Sequence, residues 1–189
     1  MKKKLAVGNT QLAMITLLQC ILLPIFDIQA QEEKKFVREG NKLYDEGKFK
    51  EAEDNYQKSL EVTPNNLKGA FNLGDAYYKQ GKYKEAANQY ETLAKTAAGD
   101  KKMAAQAYHN LGNALLKEKK YEDCINAYKN ALKLNPDDED TRYNLSYAQR
   151  MLKQQQQQQQ KDDKDKKDDK KDQDKKKDQN KDKQDKKDK

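Results

Sequence analysis

A chain of 189 residues, 38% charged and 34% hydrophobic, with a formal net charge of +7, has room for one small domain and polar appendages. A single histidine and two cysteines lack the cluster spacing of a zinc site, and no glycine-rich phosphate loop is present, which argues against cofactor-dependent catalysis. Acidic residues are plentiful but alternate with lysines, as on a solvated helix face.

Lys2, Lys3 and Lys4 precede an apolar run from Leu12 to Phe26, broken only by Thr16, Gln19 and Pro24, and Ile28-Gln29-Ala30 follows. A basic end, an apolar stretch of about 7 to 15 residues and a small residue at the cut make a secretory signal. Cleavage is expected between Ala30 and Gln31, leaving an exported, periplasmic or envelope-associated protein whose membrane contact is at most peripheral. The alternative, an uncleaved anchor, is opposed by Pro24 and by a run shorter than the roughly 20 apolar residues that a span needs. Cys20 invites lipidation, but Gln19 is not the small residue that should precede a lipidated cysteine. Removal of the signal leaves Cys124 as the remaining cysteine, expected to be a buried small hydrophobe with no disulfide partner.

Six helices are expected next, at about Lys34 to Glu46, Phe49 to Val62, Leu67 to Gln80, Tyr83 to Ala97, Met103 to Glu118 and Tyr121 to Leu134. A seventh follows from about Asp138 to Leu152, with Asp137 and Asp138 suited to its N-terminus. Asn72-Leu73-Gly74 returns as Asn110-Leu111-Gly112 and again as Asn144-Leu145-Ser146, at steps of 38 and 34 residues. Tyr56, Tyr90 and Tyr128 each stand sixteen residues after a glycine: Gly40, Gly74 and Gly112. Ala52, Ala86 and Cys124 fill a small position in every second helix, Phe49, Tyr83 and Tyr121 open those helices, and Pro64 and Pro136 stop two of them.

A period near 34 with small residues and aromatics at fixed offsets resembles the tetratricopeptide repeat family, over roughly two-thirds of the chain. The resemblance implies an all-α, right-handed solenoid of three helix-turn-helix repeats, about Glu33 to Asn66, Leu67 to Asp100 and Ala105 to Asp138, closed by the seventh helix as a cap. The departures are local. Ala98 stands where proline is usual, and four extra residues around Lys101 and Lys102 follow it. Lys119 replaces the turn glycines Gly47 and Gly81, at a cost of about 1 kcal/mol if that position is left-handed.

In this family the first helices of successive repeats line a concave groove. The resemblance places Asn41, Tyr44, Phe71, Asn72, Asp75, Tyr78, His109, Asn110, Asn113, Leu116, Tyr143, Asn144 and Tyr147 on it. Asparagines carry a donor and an acceptor, so a ladder of them can hold an extended peptide backbone, and tyrosines add rigid amphipathic area. A second role stays open at Asn72, Asn110 and Asn144, which can instead bond between neighbouring helices. One variant of the fold grips a C-terminal carboxylate with basic residues. Here Asn41 and Asn72 match it, but Val37, Gln106 and Asn110 occupy the basic places, so no preference for a free carboxylate is expected. Catalysis is not expected, since the resemblance puts His109 and Cys124 on different helices, and no metal or cofactor is implied.

From Lys153 the sequence is a glutamine run and then almost only lysine and aspartate. Such a segment has no apolar surface to offset the entropy of ordering, so a disordered tail is expected over residues 153–189, after at most a turn or two of continued helix. Mixed signs and the lack of aromatics argue against nucleic-acid binding. Export signal, short repeat array, the closing run from Asn135 to Leu145 and this tail together resemble the BatC-type repeat proteins of the Bat aerotolerance group in Bacteroides-type bacteria. That resemblance implies a non-enzymatic adaptor of the cell envelope, working with von Willebrand factor A-type membrane proteins. Two other classes stay open: a structural envelope protein acting through its tail, and an assembly factor for exported proteins.

Overall fold

The computed structural model describes residues 31–184, with side chains through residue 162. The expected signal, its cleavage site and Cys20 lie outside the described residues. Seven helices follow one another: α1 (residues 31–45), α2 (Phe49–Val62), α3 (Leu67–Lys79), α4 (Tyr83–Thr96), α5 (Lys101–Lys117), α6 (Tyr121–Leu134) and α7 (Glu139–Gln184). No strand occurs among the described residues. From α2 onward each helix packs mainly on its neighbours in the chain, with lesser contacts between α3 and α5 and between α5 and α7. That nearest-neighbour pattern is the solenoid.

The turn inside each repeat is built identically. Gly47 and Gly81 adopt φ of 76° and 74°, and Lys119 adopts 59° in the same place. The amides of Lys48, Lys82 and Lys120 reach back to the carbonyls of Leu43, Tyr77 and Leu115 at 2.8–3.0 Å, so the lysine at 119 accepts the left-handed geometry that glycine takes elsewhere. Between repeats, Asn66, Asp100 and Asp138 accept from the amides of Gly69, Met103 and Thr141, capping α3, α5 and the turn that opens α7. Asp100 explains one departure from the sequence reading. It caps α5 two residues earlier than Met103, so the extra residues at Lys101 and Lys102 become its first turn.

The core is a column of tyrosine rings laid on glycines. Tyr56, Tyr90 and Tyr128 are fully buried, and a Cβ built on Gly40 or Gly74 would come within 2.6 Å of the facing ring, with Gly112 tighter still. Only a residue without a side chain lets first and second helices approach so closely. Ala52, Ala86 and Cys124 complete the column, each with no exposed surface. Ala148, Leu145 and Leu152 of α7 then close over Cys124 and Tyr128, as a cap should.

Past Leu152 α7 runs on beyond the turn or two of continued helix expected there. The helix continues without a break to Gln184. Its cause is local: residues 153–184 contain no glycine or proline, and glutamine and lysine are good helix formers. Packing contributes little, because nearly every residue from Lys153 to Asp162 is exposed.

Candidate protein-binding groove

The first helices α1, α3 and α5 carry one polar position that recurs as Asn41, Asp75 and Asn113. Each accepts the hydroxyl of the tyrosine fifteen residues later: Tyr56 to Asn41 at 2.9 Å, Tyr90 to Asp75, and Tyr128 to Asn113 at 2.7 Å. Each also accepts from the amide of the next repeat's asparagine, Asn72 to Asn41 at 2.8 Å, Asn110 to Asp75 at 3.3 Å and Asn144 to Asn113 at 3.2 Å. The oxygen that accepts is Oδ1 in every case. A ladder of tyrosine, acceptor and asparagine thus runs along the inner face, tying second helix to first and first to the next first.

Of the two roles considered for the asparagines, bonding between neighbouring helices is the one this geometry shows. Asn72, Asn110 and Asn144 hold neighbouring helices together through one N–H, while their side-chain carbonyls and second N–H are not consumed by that bond. Two recesses of about 180 Å³ each open beside the ladder. The first is lined by Asn41, Tyr44, Asp45, Tyr56, Asn72 and Asp75. The second is lined by Asp75, Tyr78, Tyr90, Asn110 and Asn113, so Asp75 forms a wall of both. Tyr44 and Tyr78 are held at equivalent places by edge-on contacts with Phe49 and Tyr83, both at 5.2 Å between ring centres.

The other predicted groove residues divide. Tyr143 and Tyr147 stand exposed on α7, at 68% and 40%, and Arg150 lies 5.8 Å from the Tyr147 ring. Phe71, His109 and Leu116 are half-buried and turned into contacts between helices. Phe71 packs edge-on against Tyr90, and Leu116 packs against the Cys124 and Tyr128 cluster. His109 Nδ1 lies 2.5 Å from the hydroxyl of fully buried Thr141, which donates to Asp138 at 2.7 Å. Sequence reading did not find Asp45, Thr141 or the tyrosine hydroxyls. The constant fifteen-residue offset from Asn41, Asp75 and Asn113 to their tyrosines could have revealed the last. Glu53, 5% exposed, is a further buried charge, met by Lys82 and Gln80 from the turn between α3 and α4 and by Lys50 of its own helix.

Burial is the leading cause of the pKa shifts of these groups. It raises Asp75 above the ordinary carboxylate value, against the opposing bond from Tyr90 and the charge of Lys79. It lowers His109, against the pull of Asp138 and Asp140. It pushes the Cys124 thiol up to about 12, despite a bond with Tyr128, so that thiol is a packing group rather than a nucleophile. Among the described residues no group of three His, Cys, Asp or Glu is placed to hold a metal, and no helix is long and apolar enough to cross a membrane.

The chain matches the tetratricopeptide repeat family at residues 68–99 and 105–138, and a TPR repeat description at residues 40–81. Among solved structures it is similar to the first TPR domain of human RPAP3, with 23% identity, a TM-score of 0.61, and 67% of this chain and 96% of that one covered. The first TPR of Spaghetti (RPAP3), solved with the HSP90 peptide SRMEEVD, gives 24% identity and a TM-score of 0.60 over 65% of this chain and 94% of that one. The yeast Sti1 TPR2AB domain, solved as a pHSP90 complex, gives 24% and 0.60 over 67% of this chain and 50% of that one. A comparison with curated proteins returns no match.

Proposed function

We propose that the tetratricopeptide repeats carried by this chain serve as a non-enzymatic scaffold that holds a peptide or protein partner against the inner face of α1, α3, α5 and α7. The observation that carries this reading is the pair of tyrosine- and asparagine-lined recesses set side by side along the ladder. Their walls offer amide groups for a backbone and aromatic faces for side chains. Relatives of the same fold support it, since the Spaghetti domain was solved with a peptide of HSP90. The peptide ends in acidic residues, whereas no lysine or arginine lines either recess here. A different ligand chemistry is therefore expected.

The setting we propose is the bacterial envelope. The basic start, apolar run and Ala30 support export, and the whole layout resembles the Bat aerotolerance group. In that setting the chain is an adaptor for a von Willebrand factor A-type membrane protein. Any aerotolerance role is indirect, because Cys124 is buried and unreactive and His109 is tied to Thr141.

Crosslinked co-purification from native envelopes tests both parts. Tyr78→Ala combined with Tyr143→Ala and Tyr147→Ala alters the groove while leaving the hydrogen-bond ladder intact. A second variant ends the chain after Gln160. Loss of a discrete partner with the groove variant alone supports the adaptor. Loss with the truncation alone moves the functional contact to the extension, and many substoichiometric clients would mark an assembly factor instead.

A further inference from the structure

The repeating acceptor of the ladder is asparagine in the first and third repeats and aspartate in the second. Asn41 and Asn113 show that a neutral amide is sufficient for the structural task, since each accepts a tyrosine hydroxyl and the next asparagine through Oδ1, as Asp75 does. The negative charge at 75 is thus not required by the ladder. It stands where burial works against it, and among the described residues no cation pairs with it. Lys79, one turn further along α3, is exposed and lines neither recess.

Position matters as much as charge. Asp75 is the shared wall of both recesses, flanked by Tyr44 on one side and Tyr78 on the other, with Asp45 at the first recess and no basic side chain in either. A carboxylate between two aromatic rings, with side-chain carbonyls of asparagines nearby, is complementary to an ammonium or guanidinium group. It is opposed to the acidic peptide end seen with the Spaghetti domain. The chain's own net charge of +7 would repel a basic ligand, so attraction to one must come from this local site.

We propose that the groove takes an extended partner segment through a lysine or arginine side chain seated on Asp75 between Tyr44 and Tyr78. This rests on the peptide-binding reading above and names its ligand. Neighbouring asparagine carbonyls then accept from the segment's backbone amides, which fixes its direction without reading its sequence.

The test uses the full chain, labelled and passed over bead-bound hexapeptide pools that are acetylated and amidated, each pool carrying arginine, lysine or citrulline at one fixed position. Citrulline keeps the shape of arginine without its charge. Retention by the arginine and lysine pools about ten-fold above citrulline is expected, the size of one charge-assisted hydrogen bond. In Asp75→Asn, which retains the ladder as Asn41 and Asn113 do, that ratio should fall to about one with helix content unchanged. Equal retention of all pools by the wild type, or a ratio that survives in Asp75→Asn, overturns the inference. If equal retention is nonetheless lost in Tyr78→Ala, the groove reading stands and only its ligand is wrong. No retention above bare beads sinks both.

Discussion

Residues 31–152 and residues 153–184 are both largely α-helical, for opposite physical reasons. Within the array every helix buries one face, and the tyrosine rings lie so close to the facing glycines that backbone and side chain fit in one way. In the extension of α7 from Lys153 to Asp162 the side chains face water, and the helix rests on local propensity alone. Packing makes helices cooperative, whereas isolated helices are marginal in water. The array and the extension should therefore respond to different perturbations.

The sharpest way to break that contrast is at the centre of the array. Tyr90→Ala removes a fully buried ring and leaves Asp75 without the hydroxyl that satisfies it. A loss of about 3–5 kcal/mol is expected, enough to abolish or shift by tens of degrees the cooperative thermal transition seen by circular dichroism. Tyr90→Phe, which removes the hydroxyl alone, should cost about 1 kcal/mol. A melting temperature for Tyr90→Ala within a few degrees of wild type would show that the ring column does not hold the array.

The array was largely legible in the sequence because its constraints are local and periodic. The sixteen-residue spacing from Gly40, Gly74 and Gly112 to the tyrosines placed the ring column, and Phe49–Val62 and Tyr121–Leu134 are helices with the expected ends. Elsewhere the controlling contact lies across space. The early start of α5 depends on which carboxylate caps it, and Asp100 was not read as that cap. The column of His109 places it on the inner helices, but its bond to buried Thr141 on α7 is a contact across space that no spacing reveals. The length of α7 past Leu152 was not legible, because it follows no packing pattern and residues 153–184 merely lack a glycine or proline to stop it.

A smaller effect sharpens the account of the turns. Lys119 holds φ of 59° where Gly47 and Gly81 hold similar values without a Cβ. Lys119→Gly should stabilise the array by about 1 kcal/mol, read as a higher denaturation midpoint with an unchanged slope. Destabilisation would mean that the lysine side chain makes a contact outweighing its backbone cost.

His109 gives a pH dependence smaller again. Burial keeps its folded pKa below the ordinary histidine value, so the unfolded chain takes up the proton first as pH falls. Stability should then decline from about pH 6.5 downward until the folded ring also titrates. Asp138 acts in a lower window. Its burial is outweighed by bonds from Thr141, its pKa is depressed, and its contribution is present above the unfolded value near 4 and lost below it. His109→Asn should flatten the upper decline and leave the acid limb. A melting temperature of wild type that does not change between pH 7.5 and 5.5 would show that His109 is not held neutral by its surroundings.

The smallest expected change tests the extension directly. Ending the chain after Gln160 keeps every described member of the packed clusters, the last of which on α7 is Leu152. The melting temperature of the array should stay within about one degree, because every described buried residue of the clusters is retained. Ellipticity at 222 nm should fall, since the missing residues contribute helix without cooperativity. In the intact chain that part of the signal should fade gradually on warming, before the array's transition, as a helix supported only by propensity does. A drop of several degrees in the array's transition on truncation would mean that the extension folds back onto packed surface, and the division between packed and unpacked helix at Leu152 would have to move.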